Sequence, residues 1–210
     1  MKYKRYKCMS TRELILENTL KLMIKKQNSI VSIREISEAT GIATGGIYHY
    51  FSSKKQIYDE ITERYAINYV KFDMDKLTQI KGNAKEKIHD AMVEIFKQKQ
   101  SGIKIETIED EIDYRIILLV LSPNIFSYDN SMEFYQSVLK ELKDFFAEIV
   151  EEGQKNNEIR QDLSPEDITE SLIIMYAGIQ YIWEMYLIDD MIQAFEDNFD
   201  LEWKKIKFRE

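Results

Sequence analysis

The sequence predicts an all-α protein in two parts, a small three-helix N-terminal domain and a larger helical domain behind it. Three observations carry this. Apolar residues recur at three- and four-residue spacing along nearly the whole chain, and no stretch alternates with the period of two that a half-buried strand requires. Only 2 prolines and 7 glycines occur in 210 residues, too few for a turn-rich β architecture. Capping residues and glycines also fall where the periodic segments start and stop.

The first helix is expected over residues 11–27, where Leu16, Leu20, Met23 and Ile24 share a face and Ser10 or Thr11 caps the start. After the break NSIVS, Ser32 with Glu35 three residues on forms a capping box for a short second helix that Gly41 ends. A third helix runs from Thr44 to Phe51, and Ser52-Ser53 cap a long fourth one from Lys54 to about residue 77. Further helices are expected over 83–100, 106–121, 131–156, 165–188 and 191–207. Ser122-Pro123-Asn124 should break the 106–121 helix, and Pro165 behind Ser164 is an N1 proline.

The net charge of −8 hides an asymmetry: residues 1–55 hold 11 Lys+Arg against 4 Asp+Glu. That split suggests a polyanion-binding end on an acidic body, the alternative being a basic surface with no partner. One cysteine, Cys8, builds no disulfide within the chain. No signal-peptide pattern or uninterrupted apolar run of about 18 residues occurs, so the expectation is a cytoplasmic protein with no membrane partner.

In residues 32–51, Ile33, Ile36, Ala39, Ile42, Ile47 and Phe51 are spaced to bury against the first helix. Ser32, Arg34, Thr44, Gly45, Gly46, Tyr48 and His49 are left outside. This is the helix-turn-helix layout, whose second helix enters the DNA major groove. The stretch SIREISEATGIATGGIYHYFSSKKQIYDEI resembles the DNA-binding domain of the TetR (tetracycline-repressor-like) family of bacterial transcriptional regulators. Gly45, Ile47, Tyr48, Tyr50, Phe51 and Lys54 occupy that family's pattern. The match covers about residues 11–60; the rest is similar only in its helical architecture.

The resemblance implies domains at 11–55 (helix-turn-helix) and 56–210 (ligand binding and dimerisation), behind a basic arm at 1–10. It implies double-stranded DNA as partner, contacted by Ser32, Arg34, Thr44, Gly45, Gly46, Tyr48, His49, Tyr50 and Lys54. Lys54, Tyr48 and Tyr50 suit phosphates, and Arg34 suits a base edge or the backbone. Ser32 has the alternative role of a simple cap, and Tyr50 that of a core residue. Two departures stand out. Ala43 replaces the usual Ser or Thr cap of the third helix, and Gly46 makes a second adjacent glycine. The expectation is a weakly held recognition helix whose backbone approaches DNA closely and whose specificity leans on shape and thymine methyls more than on bidentate hydrogen bonds to bases.

For the body, the resemblance implies a homodimer through the last two helices and a small-molecule effector in a central cavity. Leu172, Met175, Ile179, Ile182, Tyr186, Met191, Phe195 and Phe199 are the expected dimer surface, the alternative being burial in the monomer's own core. Tyr65, Tyr69, Met92, Phe96, Tyr114, Tyr135, Tyr176 and Trp183 are the expected effector contacts, or else core filling. The function so implied is a ligand-responsive regulator, most simply a repressor released by a largely apolar or aromatic effector. A body that binds a partner protein is the alternative. No catalytic constellation, metal site or cofactor motif is found.

Overall fold

The computed structural model describes residues 9–27, 30–101, 112–125, 127–129 and 131–208. Residues 1–8 of the expected arm, and most of the acidic run at 106–113, lie outside that set. Among the described residues no strand occurs, and Ile159 and Lys207 form an isolated antiparallel bridge.

Helix α1 spans Thr11–Lys26, opened by a capping box between Ser10 and Glu13 and closed by Gln27 in the left-handed region. Helix α2 is Ile33–Thr40, with the expected Ser32–Glu35 box and Gly41 at φ 71° behind it. Helix α3 is Thr44–Tyr50, and its cap position Ala43 offers no side-chain hydrogen bond. Helix α4, Lys54–Thr62, is capped by Ser53. It continues through one π-helical turn, Glu63–Ile67, into the short α5, Asn68–Val70.

The long fourth helix expected to reach residue 77 therefore ends early. A separate turn, α6 (Met74–Leu77), starts at Asp73, whose carboxylate accepts from the Lys76 amide. That local bond competes with continuing the helix, the usual effect of Asp inside a helical run. Within the π turn, the Tyr114 hydroxyl donates to the Tyr65 carbonyl, satisfying an oxygen that the altered register displaces.

The remaining helices are α7 (Ala84–Gln100), α8 (Tyr114–Ile125), α9 (Ser131–Lys155), α10 (Pro165–Glu184) and α11 (Met191–Ile206). Pro123 was expected to break the helix before it but lies inside α8. Proline cannot donate to the Leu119 carbonyl, and the Ser122 hydroxyl takes that acceptor at 3.0 Å, so the helix survives to Ile125.

Two compact units result. The first holds the described residues of 1–70 and 102–132, with α8 packed on α1 and α4. Its core is built on Ile15, Leu16, Leu20, Ile36, Ile47, Phe51, Ile57 and Ile61. The second holds 71–101 and the described residues of 133–210, where α11 packs on α7 and α10. Its core includes Ile88, Met92, Ile95, Phe96, Leu142, Phe146, Leu172 and Phe195.

Candidate DNA-binding interface

Helix α3 has two faces. Ile47 and Phe51, one turn apart, are fully buried. Thr44, Gly45, Tyr48 and His49 fall on the opposite face and are exposed. The helix runs from Thr44 to Tyr50 without a side-chain cap, and its inner face is anchored by buried apolar contacts.

The adjacent glycines do different work. A Cβ at Gly45 meets nothing within 4 Å, leaving that backbone open to a groove. A Cβ at Gly46 falls 2.9 Å from Ile42 Cγ2, so this glycine is required by packing inside the domain. The reading of both glycines as devices for close DNA approach is corrected for Gly46, whose Cα faces its own protein.

Ser32 is exposed but engaged as a cap: its amide and its hydroxyl each donate to Glu35 at 2.8 Å. Hydrogen bonds from Lys26 and then Ser32 hold the Glu35 carboxyl down at about 2. Any phosphate approaching Ser32 therefore meets a carboxylate. Arg34 is 88% exposed in its side chain and pairs with Glu38 at 2.9 Å, an i,i+4 contact weak enough to release the guanidinium. Tyr50 is partly exposed, its ring edge-on to His49 at 5.3 Å. Lys54 opens α4 with its ammonium 5.1 Å from the Tyr58 ring centre.

Sequence reasoning missed two residues that build this surface. Arg12 donates from Nε to Glu60 at 3.2 Å and from a terminal nitrogen to the Tyr50 carbonyl at 2.6 Å, with its guanidinium 4.4 Å from the Phe51 ring centre. The Tyr58 hydroxyl accepts from the Val31 amide at 2.8 Å and donates to the Val31 carbonyl at 2.7 Å. Both sit on helices that the apolar pattern presents as scaffold. The one sequence signal was the i,i+4 spacing of Lys54 and Tyr58.

The expected effector residues divide between the units. Tyr65, Tyr69 and Tyr114 belong to the first, where Tyr69 and Tyr114 stack at 3.5 Å beside the π turn. Met92, Phe96, Tyr135, Tyr176 and Trp183 belong to the second. There Tyr176 lies 5.7 Å from Phe96 and 6.0 Å from Phe72 between ring centres.

This second cluster holds a charge the sequence reading did not anticipate. Lys99 is 1% exposed, with Nζ 4.6 Å from the Phe72 ring centre and 3.4 Å from the Lys71 carbonyl. Burial lowers its pKa to about 7, against an opposing pull from Glu184. Burial also raises the Glu184 carboxyl, and burial together with that carboxylate raises the Tyr135 and Tyr176 hydroxyls. The available signal was spacing, since Met92, Ile95, Phe96 and Lys99 share one helical face.

The same unit has an open groove of about 690 Å³ lined by Lys71, Phe72, Phe134, Val138 and Phe145, among others. A smaller one of about 360 Å³ surrounds His89, whose ring nitrogens lie 2.8 Å from Asp90 and 2.9 Å from Glu196. Ionised carboxylates only accept, so this arrangement favours the imidazolium, which donates from both nitrogens. Burial opposes that charge, but the two carboxylates outweigh it and the His89 pKa rises. Among the described residues no three His, Cys, Asp or Glu side chains are grouped to hold a metal ion.

Of the expected dimer residues, Leu172, Ile179, Met191, Phe195 and Phe199 are buried within the single chain. Met175 and Ile182 are half-buried and Tyr186 is exposed. The apolar residues that these two helices leave open are others: Ile174, Tyr181 and Met185 on α10 or just past its end, and Leu201 on α11.

A basic helix-turn-helix with an exposed second helix defines a DNA-binding protein. Residues 15–61 match the family described as "Bacterial regulatory proteins, tetR family". The chain is 27% identical over 144 residues to an uncharacterized HTH-type transcriptional regulator, YerO, of Bacillus subtilis. That match takes in 69% of this chain and 43% of the relative, less than half its length. The fold is similar to the ketosteroid regulator KstR2 of Mycobacterium tuberculosis (TM-score 0.61, 13% identity, 95% and 96% of the two chains). It is also similar to a TetR regulator of Haloarcula marismortui (TM-score 0.62, 13% identity, 93% and 97%). A regulator of Saccharomonospora viridis in complex with choline gives TM-score 0.59 at 18% identity over 94% and 98%. Residues 15–61 thus carry the DNA-binding domain of the TetR family of bacterial transcriptional regulators. The named relatives are described as transcriptional regulators. No helix among the described residues is long and apolar enough to cross a membrane.

Proposed function

We propose that this regulator is a ligand-responsive repressor that binds a palindromic operator as a homodimer and is released by a small, largely apolar or aromatic effector. The observation that carries the DNA-binding half is the exposed face of α3, where Thr44, open Gly45, Tyr48 and His49 stand together. Tyr48 and Lys54 supply phosphate contacts, Arg34 and His49 reach bases, and Ser32 and Tyr50 serve chiefly to hold the domain. Specificity then rests on shape and methyl contacts as much as on base hydrogen bonds.

Dimerisation uses the open stripe Ile174, Gly178, Tyr181 and Met185 of α10 with Leu201 of α11, not the side chains already in the monomer core. Ile174, Gly178, Tyr181 and Met185 follow the i, i+4, i+7, i+11 rhythm of a helix–helix seam. Gly178 is an exposed helix glycine with nothing within 4 Å of a Cβ, so its own chain gives no packing reason for it.

The effector site is the aromatic cluster around Lys99 and Glu184. A ligand there needs flat apolar surface for Phe72, Phe96 and Tyr176, and a polar group for Lys99, Glu184 or Tyr135. Signalling follows the chain: the helical path of α4 ends at Val70, and the next two residues, Lys71 and Phe72, are the neighbours of Lys99. Moving them would re-aim α4 and detune two heads from half-sites about 34–36 Å apart. The open groove at Phe72, Phe134 and Phe145 supports the second reading, a body that binds a partner protein. Thermal-shift screening separates the two. The ligand reading expects aromatic or apolar compounds to stabilise the chain and Lys99→Met to alter their ranking. Stabilisation by small hydrophilic anions alone would contradict it.

A further inference from the structure

We propose that Tyr58 is a positioning residue for DNA binding, its hydroxyl fixing the turn that launches α2 and its ring seating the Lys54 ammonium. One hydroxyl meets both backbone groups of Val31, accepting from the amide at 2.8 Å and donating to the carbonyl at 2.7 Å. Val31 is fully buried and directly precedes the α2 cap Ser32, so the start of α2 is tied to α4 at a single point. Arg34 leaves the first turn of that helix and moves with it.

The same ring lies 5.1 Å from Lys54 Nζ, one helical turn back. A cation within about 6 Å of an aromatic face is attracted to it, which selects among the many rotamers of a lysine. The neighbouring Lys55 shows the contrast, being neutralised by Asp59 at 2.8 Å. Lys54 is held by an aromatic surface that leaves its charge in place for a phosphate.

A second tie fixes the far end of the motif. Arg12 spans Glu60 on α4 and the Tyr50 carbonyl at the end of α3. Gln56 supports the Glu60 carboxylate from 3.2 Å. The Arg12 and Glu60 side chains are 39% and 26% exposed, so this pair adds little stability and acts through placement. Helix α4 thereby grips the helix-turn-helix at both ends, and Tyr58 touches both the α2 launch and the Lys54 ammonium.

This inference rests on the proposed phosphate role of Lys54, and the experiment separates the two claims. Phosphate contacts are independent of sequence, so the probe is a fluorescein-labelled 30-bp duplex of random sequence, titrated by anisotropy across salt concentrations. Lys54→Ala tests the contact: each phosphate lost lowers the slope of log K against log salt by about 0.9, so the two lost by a dimer lower it by about 1.8. Tyr58→Leu, which removes ring and hydroxyl, is expected to lose the same slope. Tyr58→Phe keeps the ring but loses both hydrogen bonds to Val31, and is expected to weaken binding roughly three- to tenfold, with slope unchanged and the Val31 amide exchanging faster. Lys54→Ala with wild-type slope overturns the phosphate assignment. Lys54→Ala with reduced slope, beside Tyr58→Leu or Tyr58→Phe indistinguishable from wild type, overturns the positioning role. Melting curves identify any variant that fails to fold. Tyr58→Phe changes one atom, so its result decides the hydroxyl's role even if Tyr58→Leu does not fold.

Discussion

Replacing each recognition-helix glycine by alanine in turn should push stability in opposite directions. Both changes raise helix propensity, by up to about 1 kcal/mol. At Gly45 nothing opposes the gain, because a Cβ there meets no atom within 4 Å. At Gly46 the new carbon would lie 2.9 Å from Ile42 Cγ2, well inside the ~3.5–4.0 Å at which carbon atoms rest. That atom belongs to a β-branched side chain with little rotamer freedom, so relief requires backbone movement at about 1–3 kcal/mol. Gly46→Ala should therefore lie about 1–3 kcal/mol below Gly45→Ala. For a chain of this size Gly45→Ala should melt up to about 2–4 °C above wild type, followed by circular dichroism. The same methyl stands on the groove-facing surface, so Gly45→Ala should bind DNA more weakly despite being more stable. A Gly46→Ala protein as stable as Gly45→Ala would refute the packing argument. A stabilised Gly45→Ala protein with undiminished DNA affinity would refute close approach at that position.

Three further outcomes follow. His89 has a raised folded pKa, so its bridge to Asp90 and Glu196 stabilises most below about 6.5, the ordinary value, and weakens as pH rises through the folded value. Wild type should thus exceed His89→Gln in melting temperature at pH 5.5, with the gap closing by pH 8.5; a constant gap would rule this out. Lys99 has a folded pKa lowered to about 7, so the unfolded chain binds the extra proton between about 7 and 10, and stability attributable to Lys99 rises over that range. Lys99→Met should be more stable than wild type at pH 7 and lose that advantage by pH 10, and a destabilised variant at pH 7 would contradict the cost assigned to burying the ammonium. Gly178→Trp should leave the monomer folded and lower the mass seen by sedimentation from dimer to monomer, whereas an unaltered dimer would remove α10's open stripe from the interface.

Much of the first unit is legible in the sequence. Capping boxes at Ser32 and the left-handed Gly41 are local chemistry, and they set α2 and its turn to within a residue. The two faces of α3 followed from Ile47 and Phe51 alone. What escaped was contact over long sequence separation. Arg12 with Glu60 and Val31 with Tyr58 are joined only in three dimensions, and no periodicity marks them. The early end of α4 turned on Asp73, a one-residue competition that propensity summed over a window does not detect. In the body, apolar spacing located α10 and α11 but not what their apolar sides meet, because α10 is apolar over much of its surface and the one apolar face of α11 suits a partner as well as a core. Five of the eight residues expected at a partner surface are consequently core residues. Lys99 was passed over because lysine at a helix's last turn ordinarily points to water.

The central claim is that the basic head reads a two-fold DNA site under control of the body. A nuclease footprint on the DNA upstream of the protein's own gene tests it most directly, run at low salt with wild type and with Lys54→Ala. The expected result is a protected palindrome with half-site centres about 34–36 Å apart, or a multiple of that, lost in the variant and released by a stabilising aromatic ligand. Uniform protection without a palindrome, or protection that Lys54→Ala and every stabilising ligand leave intact, would contradict the account.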